Sequence, residues 1–537
     1  LAERYGKHPA LKMWHISNEY GGECHCSLCQ AAFRGWLRER YDNDLDLLNE
    51  KWWNTFWSHK VTDWEQIGSP KPTGENGVSA HMLCWRRFVS DSHISFFEDE
   101  IVPIRELTPD IPVTANLMRL NDGIDYQKFA KHLDIVSWDN YPDWELRDDY
   151  DVAAETAFVH DSFRSMKKDR PFYMMESSPS NVNWFDVNKI PHPGISELTA
   201  VQAVAHGSDS VQYFQWRKGR GGSEKYHGAV IDHCGHENTR VFREAAHTGA
   251  VLEKLSKAAG TVHKSSVAVI CDWENKWATD LYQGFNNIHR DYFEECIRYY
   301  RPLWKRGIAA DVIPMDADFS GYSLIIAPYL YMLKDGTEER IRDYVANGGI
   351  FVSTYLTGMT DSDDRCYMGG TPCGSLMDVF GIWREETDAL PDERPGKAFF
   401  GTKEYSVDKI CDIIHAETAE VLGRYGSDFY EGMPCVTKNT YGRGSAYTAA
   451  FRNDGDLADD LVGMILKDHG LAPKTDIAAE DGLTVRWRGR FCFIMNFTGH
   501  KLSAKLENEY TDVIAGEKIK GAKEIGPYGY IILEQKG

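Results

Sequence analysis

Apolar and polar positions along the 537-residue chain alternate in two rhythms. Up to about residue 243, short apolar runs that end in polar or aromatic residues read as strands. They are the run around Leu11, Met13, Trp14 and Ile16, then IPVTANL (111–117), LDIVSWDNYP (133–142), PFYMMESSPSNVNW (171–184) and DSVQYFQWR (209–217). Between them, longer segments near 30–41, 79–107, 152–168 and 197–205 read as helices. Repeated βα alternation predicts a parallel sheet. Strands that stop in polar residues suit a (β/α)8 barrel, which keeps its chemistry at the C-terminal ends of its strands. This unit, residues 1–245, supplies five strands of the eight. The count predicts that strands 1–3 precede Leu1, and that about 100–130 upstream residues are needed for a closed, active barrel.

A second α/β unit is predicted over 246–470. SVAVICD (266–272), AADVIPM (309–315), YSLIIAPYLYML (322–333) and IFVSTYL (350–356) read as strands, and EERIRDYVANGG (338–349) as a helix stopped by Gly-Gly. The pattern is doubly wound and resembles flavodoxin-like folds. Residues 357–434 give no clear rhythm; GSAYTAAF and the helical DGDLADDLVGMILKDHG close the unit. From 471 to 537, LTVRWRG, RFCFIMNFT, YTDVIAG and YGYIILEQ, separated by Gly and Asn turns, predict a small antiparallel β domain.

Charge narrows the partners. With 81 acidic against 60 basic residues and a formal charge of −21, the chain is unsuited to nucleic acid or anionic membranes, and neutral substrates fit best. No apolar run approaches the roughly 20 residues of a membrane span. Twelve cysteines, scattered apart from one cluster, argue against a disulfide framework and for a reducing, cytoplasmic compartment. The many aromatic rings supply core and can also stack on the apolar faces of sugars.

The candidate chemistry begins in KMWHISNEYGGECHCSLCQ (12–30). An apolar strand delivers Asn18 and Glu19 to a loop, and the same geometry recurs where Phe172-Tyr173-Met174-Met175 ends in Glu176. A lone strand-end glutamate is usually solvated surface, but two of them can flank one glycosidic bond as acid/base and nucleophile. Behind Glu19, Cys24, Cys26 and Cys29 have the spacing of metal ligands, yet a closed structural zinc site takes four. His25, held between two of them, is poorly placed as the fourth. Three free thiols are the alternative.

The stretch WHISNEYGGECHCSLCQAAFRGWLRERYDNDLDLLNEKWWNTFWS, with SWDNYP, MMESSPSNVNW, YFQWRKGRGGSEKYHGAVIDH and RVFREAAHTG, resembles the glycoside hydrolase family 42 β-galactosidases over essentially the whole chain. The resemblance implies a retaining exo-β-galactosidase acting on terminal β-D-galactosides, with Glu19 as acid/base and Glu176 as nucleophile. It implies further that Asn18 holds the sugar 2-hydroxyl and that Tyr141, Trp184, Glu224 and His227 line the galactose subsite. The bland alternatives are core packing for Trp184 and a structural loop role for His227. Structural zinc on Cys24, Cys26 and Cys29, with a fourth cysteine from upstream, and a homotrimer built partly by the middle domain are implied as well. That domain is related to glutamine amidotransferases, but IFVSTYLTG lacks their nucleophilic cysteine. The competing functions are α-L-arabinopyranosidase or β-fucosidase specificity, which differs only at the sugar C6 contact, and a non-catalytic carbohydrate-binding protein, which would be expected to have lost one carboxylate.

Overall fold

A computed structural model describes residues 1–71, 77–472 and 475–535. The five expected N-terminal strands form one parallel arc. β1 (Trp14–His15) lies beside β2 (Val113–Thr114), which continues past Ala115 as β3 (Asn116–Met118). Then come β4 (Ser137–Asn140), β5 (Phe172–Ser177) and β6 (Ser208–Val211), all parallel. Helices Ser79–Leu107, Asp149–Met166 and Ile195–Ala205 connect and cover them. Asp148 caps the second by accepting hydrogen bonds from the Tyr150 and Asp151 amides, satisfying donors that a helix start leaves orphaned. The arc is part of a barrel-type parallel sheet, with β1 and β6 as its outer strands among the described residues.

The opening strand is shorter than its apolar pattern suggests. Ser17 and Glu19 adopt φ of 55° and 44°, left-handed values that end extended pairing, so the chain turns out of the sheet immediately before the glutamate. Such backbone is costly for non-glycine residues and recurs at functional sites.

The middle unit has five parallel strands. In chain order they are Val267–Ile270, Asp311–Ile313, Leu324–Ala327, Ile350–Thr354 and Gly444–Ala449, and in space they run 2-1-3-4-5, the flavodoxin-like order. The unreadable stretch 357–434 proves to be antiparallel. Strands Gly396–Phe400, Lys403–Val407, Glu420–Tyr425 and Pro434–Tyr441 extend the same sheet, and Ile382–Ala389 pairs with Ile410–Ala416 as a separate ribbon. Several of these strands keep one face wet, which dilutes their hydrophobic signal. Helices Trp273–Leu281 and Tyr292–Lys305 were also not evident from the sequence; the second carries Pro302, normally a stop signal. In the C-terminal sheet, YTDVIAG is the end of the 11-residue strand Leu502–Asp512 and its turn, and the charged, mostly uncovered Lys518–Ile525 pairs with it.

The units share a core. Trp273 and Trp277 donate indole N–H bonds to the Asn121 and Asp122 carbonyls, and the Trp138 and Phe163 rings stack 5.2 Å apart. All three units meet at Asp161, which is fully buried. Its carboxylate accepts from Arg164 at 2.9 Å, Tyr300 at 2.7 Å and Arg486 at 2.8 Å. Burial alone would raise its pKa, but Arg486 and Arg164 hold the group well below the usual carboxylate range.

Candidate active site

Four segments far apart in the chain converge at the C-terminal end of the arc: the loop after β1 and strands β3, β4 and β5. The centre is Asn116, which the sequence reading passed over. Its Oδ1 accepts from the Glu19 backbone N–H at 2.9 Å and contacts His15 Nε2 at 2.9 Å. Its Nδ2 donates to Asp139 Oδ2 at 2.7 Å and Asn18 Oδ1 at 3.0 Å, with a longer contact to Glu176 Oε1 at 3.3 Å. One amide therefore ties together the positions of both predicted catalytic glutamates and the predicted 2-hydroxyl ligand.

Asp139 is the second residue missed. In the β4–β5 register it lies directly opposite Glu176. One oxygen from each of Glu19, Asp139 and Glu176 lies within 4.8 Å of the others. At that spacing two unit charges repel by about 3 kcal/mol at an effective dielectric of 20, before further screening by solvent. Burial first, then Glu176 and Glu19, push the Asp139 carboxyl up to about 9. Burial also raises Glu176; the hydrogen bond from Tyr141 opposes the rise, and the Glu19 and Glu224 charges add to it. A signal for both missed residues existed. Asn116 is a polar residue inside an apolar strand run, and Asp139 stands two residues before Tyr141, hence on the same face of its strand.

The predicted subsite residues fall in two groups. Tyr141 Oη donates to Glu176 Oε2 at 2.8 Å, so this ring belongs to the carboxylate cluster. Trp184 packs edge-on to Tyr141 at 4.9 Å and stacks on His227 at 5.1 Å. It is 48% exposed, so core packing does not explain it. His227 is buried: its Nδ1 contacts the Gly228 carbonyl at 2.9 Å and its Nε2 has no partner among the described residues. Burial lowers its pKa and favours neutral imidazole. A stitch between two loops fixes its place. Gly228 N–H donates to the Asn181 carbonyl at 2.8 Å, and a Cβ at Gly228 would sit 2.6 Å from that oxygen, so no side chain fits there. Glu224 is exposed, and its backbone carbonyl accepts from His227 N–H at 3.0 Å.

The Cys24, Cys26 and Cys29 sulfurs lie within 4.8 Å of one another, with Cys26 and Cys29 3.7 Å apart. Sulfurs about 3.8 Å apart are what a tetrahedral centre with 2.3 Å metal–sulfur bonds requires. His25 is turned away: its ring stacks on Trp85 at 5.1 Å and its Nε2 lies 3.4 Å from Glu23. The triplet can hold a metal ion with three thiolates, and the fourth ligand is not among these residues.

Residues 1–255 match the glycoside hydrolase 42 family described as "Beta-galactosidase", residues 265–472 its trimerisation domain and residues 482–535 its C-terminal domain. The chain is 47% identical over 553 residues to Beta-galactosidase Pbg of Clostridium perfringens, covering 100% of this chain and 80% of the relative. It is 43% identical over 548 residues to Beta-galactosidase BglY of Alicyclobacillus acidocaldarius, covering 100% and 79%. The solved structure of Gan42B, a GH42 β-galactosidase from G. stearothermophilus, superposes with a TM-score of 0.97 at 45% identity, covering 100% of this chain and 80% of that one.

Proposed function

Because this chain belongs to the glycoside hydrolase family 42 β-galactosidases, we propose that it removes terminal β-D-galactose by double displacement, with Glu176 as nucleophile and Glu19 as acid/base. The observation that carries the reading is the pair of glutamates brought together from the loop after β1 and the end of β5, across the mouth of the arc, with oxygens within 4.8 Å. Retaining enzymes keep their carboxyl groups about 5–5.5 Å apart, whereas inverting enzymes leave about 6.5–9.5 Å for a water. Glu176 attacks the anomeric carbon as Glu19 protonates the departing oxygen; Glu19 then takes a proton from the water that releases galactose. Tyr141 holds the nucleophile's rotamer through its 2.8 Å hydrogen bond. Asn18 is oriented by Asn116 to meet the 2-hydroxyl, where a contact that strengthens in the transition state accelerates transfer. Trp184 is assigned the sugar's apolar face, and Glu224, exposed and near enough for its charge to act on Glu176, a hydroxyl; His227, buried beneath Trp184, is assigned to the same subsite through its unpartnered Nε2. Nitrophenyl β-galactoside, β-fucoside and α-L-arabinopyranoside assayed in parallel test the specificity, with the galactoside expected to be the best substrate. Proton NMR of the first-formed sugar tests the stereochemistry, and initial α-galactose would exclude retention.

We divide the chain at 246 and 471 into catalytic, trimerisation and small β domains. The assignment of a trimer rests on the match of residues 265–472 to a trimerisation domain. Light scattering is expected to give three times the chain mass, and a monomer at micromolar concentration would remove the proposal. Twelve free cysteines fit a reducing, cytoplasmic setting, and no helix among the described residues is long and apolar enough to cross a membrane.

Cys24, Cys26 and Cys29 would supply three ligands to a structural zinc, which when bound closes the loop behind Glu19. Their place outside the carboxylate cluster gives them no part in proton transfer. Cys26→Ser should lower the melting temperature by several degrees, because metal binding free energy is folding free energy, while kcat changes much less. Elemental analysis that finds no zinc, together with an unchanged melting temperature, would leave three ordinary thiols.

A further inference from the structure

Glycosidic double displacement needs two carboxyl groups, yet this site holds a third. Asp139 is 4% exposed, between Glu19 and Glu176. None of the three forms an ion pair among the described residues. The two oxygens of Asp139 differ. Oδ2 accepts the Asn116 amide at 2.7 Å, whereas Oδ1 is buried and accepts nothing. A carboxylate would leave that oxygen orphaned in a dry site, which is costly. A carboxylic acid would turn it into a donor, and the Glu19 carboxyl lies beside Asp139 as an acceptor.

Resting on the functional reading above, we propose that Asp139 is a positioning residue for the same reaction: it keeps its proton, donates it in a hydrogen bond to Glu19, and accepts the Asn116 amide on its other oxygen. Glu19 is then held from two sides, by the acid proton of Asp139 on its side chain and by the Asn116 carbonyl on its backbone N–H. No third negative charge is added beside the nucleophile. The titratable groups that act on Asp139 are Glu176 on β5, Glu19 in the loop after β1, Tyr126 after β3 and Tyr141 just past β4, while His15 at the end of β1 contacts Asn116. The carboxylates and phenols among them disfavour its ionisation, in line with the upward shift already noted. The sign of the pH dependence follows. A carboxyl whose pKa is raised on folding contributes stability below its unfolded value and loses it as pH rises toward the folded one. The wild type should therefore lose stability relative to Asp139→Asn between about pH 4 and pH 9.

Three measurements on the full chain decide the matter. Asp139→Ala should lower kcat about 100-fold, the scale of a small misplacement of a catalytic group, with KM much less affected. Asp139→Asn keeps the shape and a donor, and should restore most of that loss. The infrared difference spectrum of wild type minus Asp139→Asn at pH 7 should show a protonated-carboxyl C=O band, and the Asn variant's melting-temperature advantage should widen from pH 5 to pH 8. Absence of the band, or an Asn variant as slow as the Ala variant, overturns the proposal, as does an Ala variant with wild-type kcat. The spectrum and the melting series do not depend on the substrate. If the wild type does not cleave galactosides, the functional reading fails while these two still decide whether Asp139 holds a proton.

Discussion

Glu176→Gly should abolish turnover, lowering kcat by about 10⁴-fold or more, because removing a nucleophile that works as a unit with its partners costs on that scale. The physical basis is local. Glu176 ends β5, lies opposite Asp139 and receives Tyr141 Oη at 2.8 Å. Substrate binding depends instead on the rings and polar groups around the sugar, so ligand affinity should survive in the variant. Steady-state kinetics combined with galactose binding to the variant checks this; residual activity above about 1% of wild type would move the nucleophile elsewhere. The Tyr141 hydroxyl provides a graded companion. It lowers a carboxyl that burial raises, so Tyr141→Phe should shift the acid limb of the kcat/KM profile upward in pH, with less nucleophile ionised at a given acidic pH.

Glu19→Ala should cost about 10²–10⁴-fold on substrates with poor leaving groups, the usual contribution of a general acid–base. The loss should be smaller with nitrophenyl leaving groups, which depart with little protonation. In the variant, the galactosyl-enzyme would wait for water without a base. Azide needs none, and should restore turnover while producing β-galactosyl azide. Chromatography and NMR of the product provide the check. An α-azide, or no rescue together with an unchanged rate on activated substrates, would sink the assignment of Glu19. Glu19 and Glu176 thus separate into two kinetic signatures, one rescued by an external nucleophile and the other not.

The amino-acid sequence by itself determined what depends on neighbours along the chain. Apolar runs ending in Glu19 and Glu176 could be read because a strand's pattern and its stopping point are local. The three cysteines could be read because ligand spacing is local, and the βα alternation because each helix or strand carries its own period. The tertiary structure decided what depends on residues far apart. Asn116 is 97 residues from Glu19 and 60 from Glu176; its polarity inside an apolar run can be read from the sequence, but the partners it links cannot. Asp139 looked like one polar residue in SWDNYP until register placed it against Glu176, and only then does its burial between two carboxyls give it a reason to hold a proton. Trp184 and His227 likewise divide by surroundings rather than type, one half-exposed and the other enclosed beneath it. The antiparallel strands between 382 and 441 stayed hidden because a strand with one wet face gains its stability from partners across the sheet, and the sequence does not name those partners.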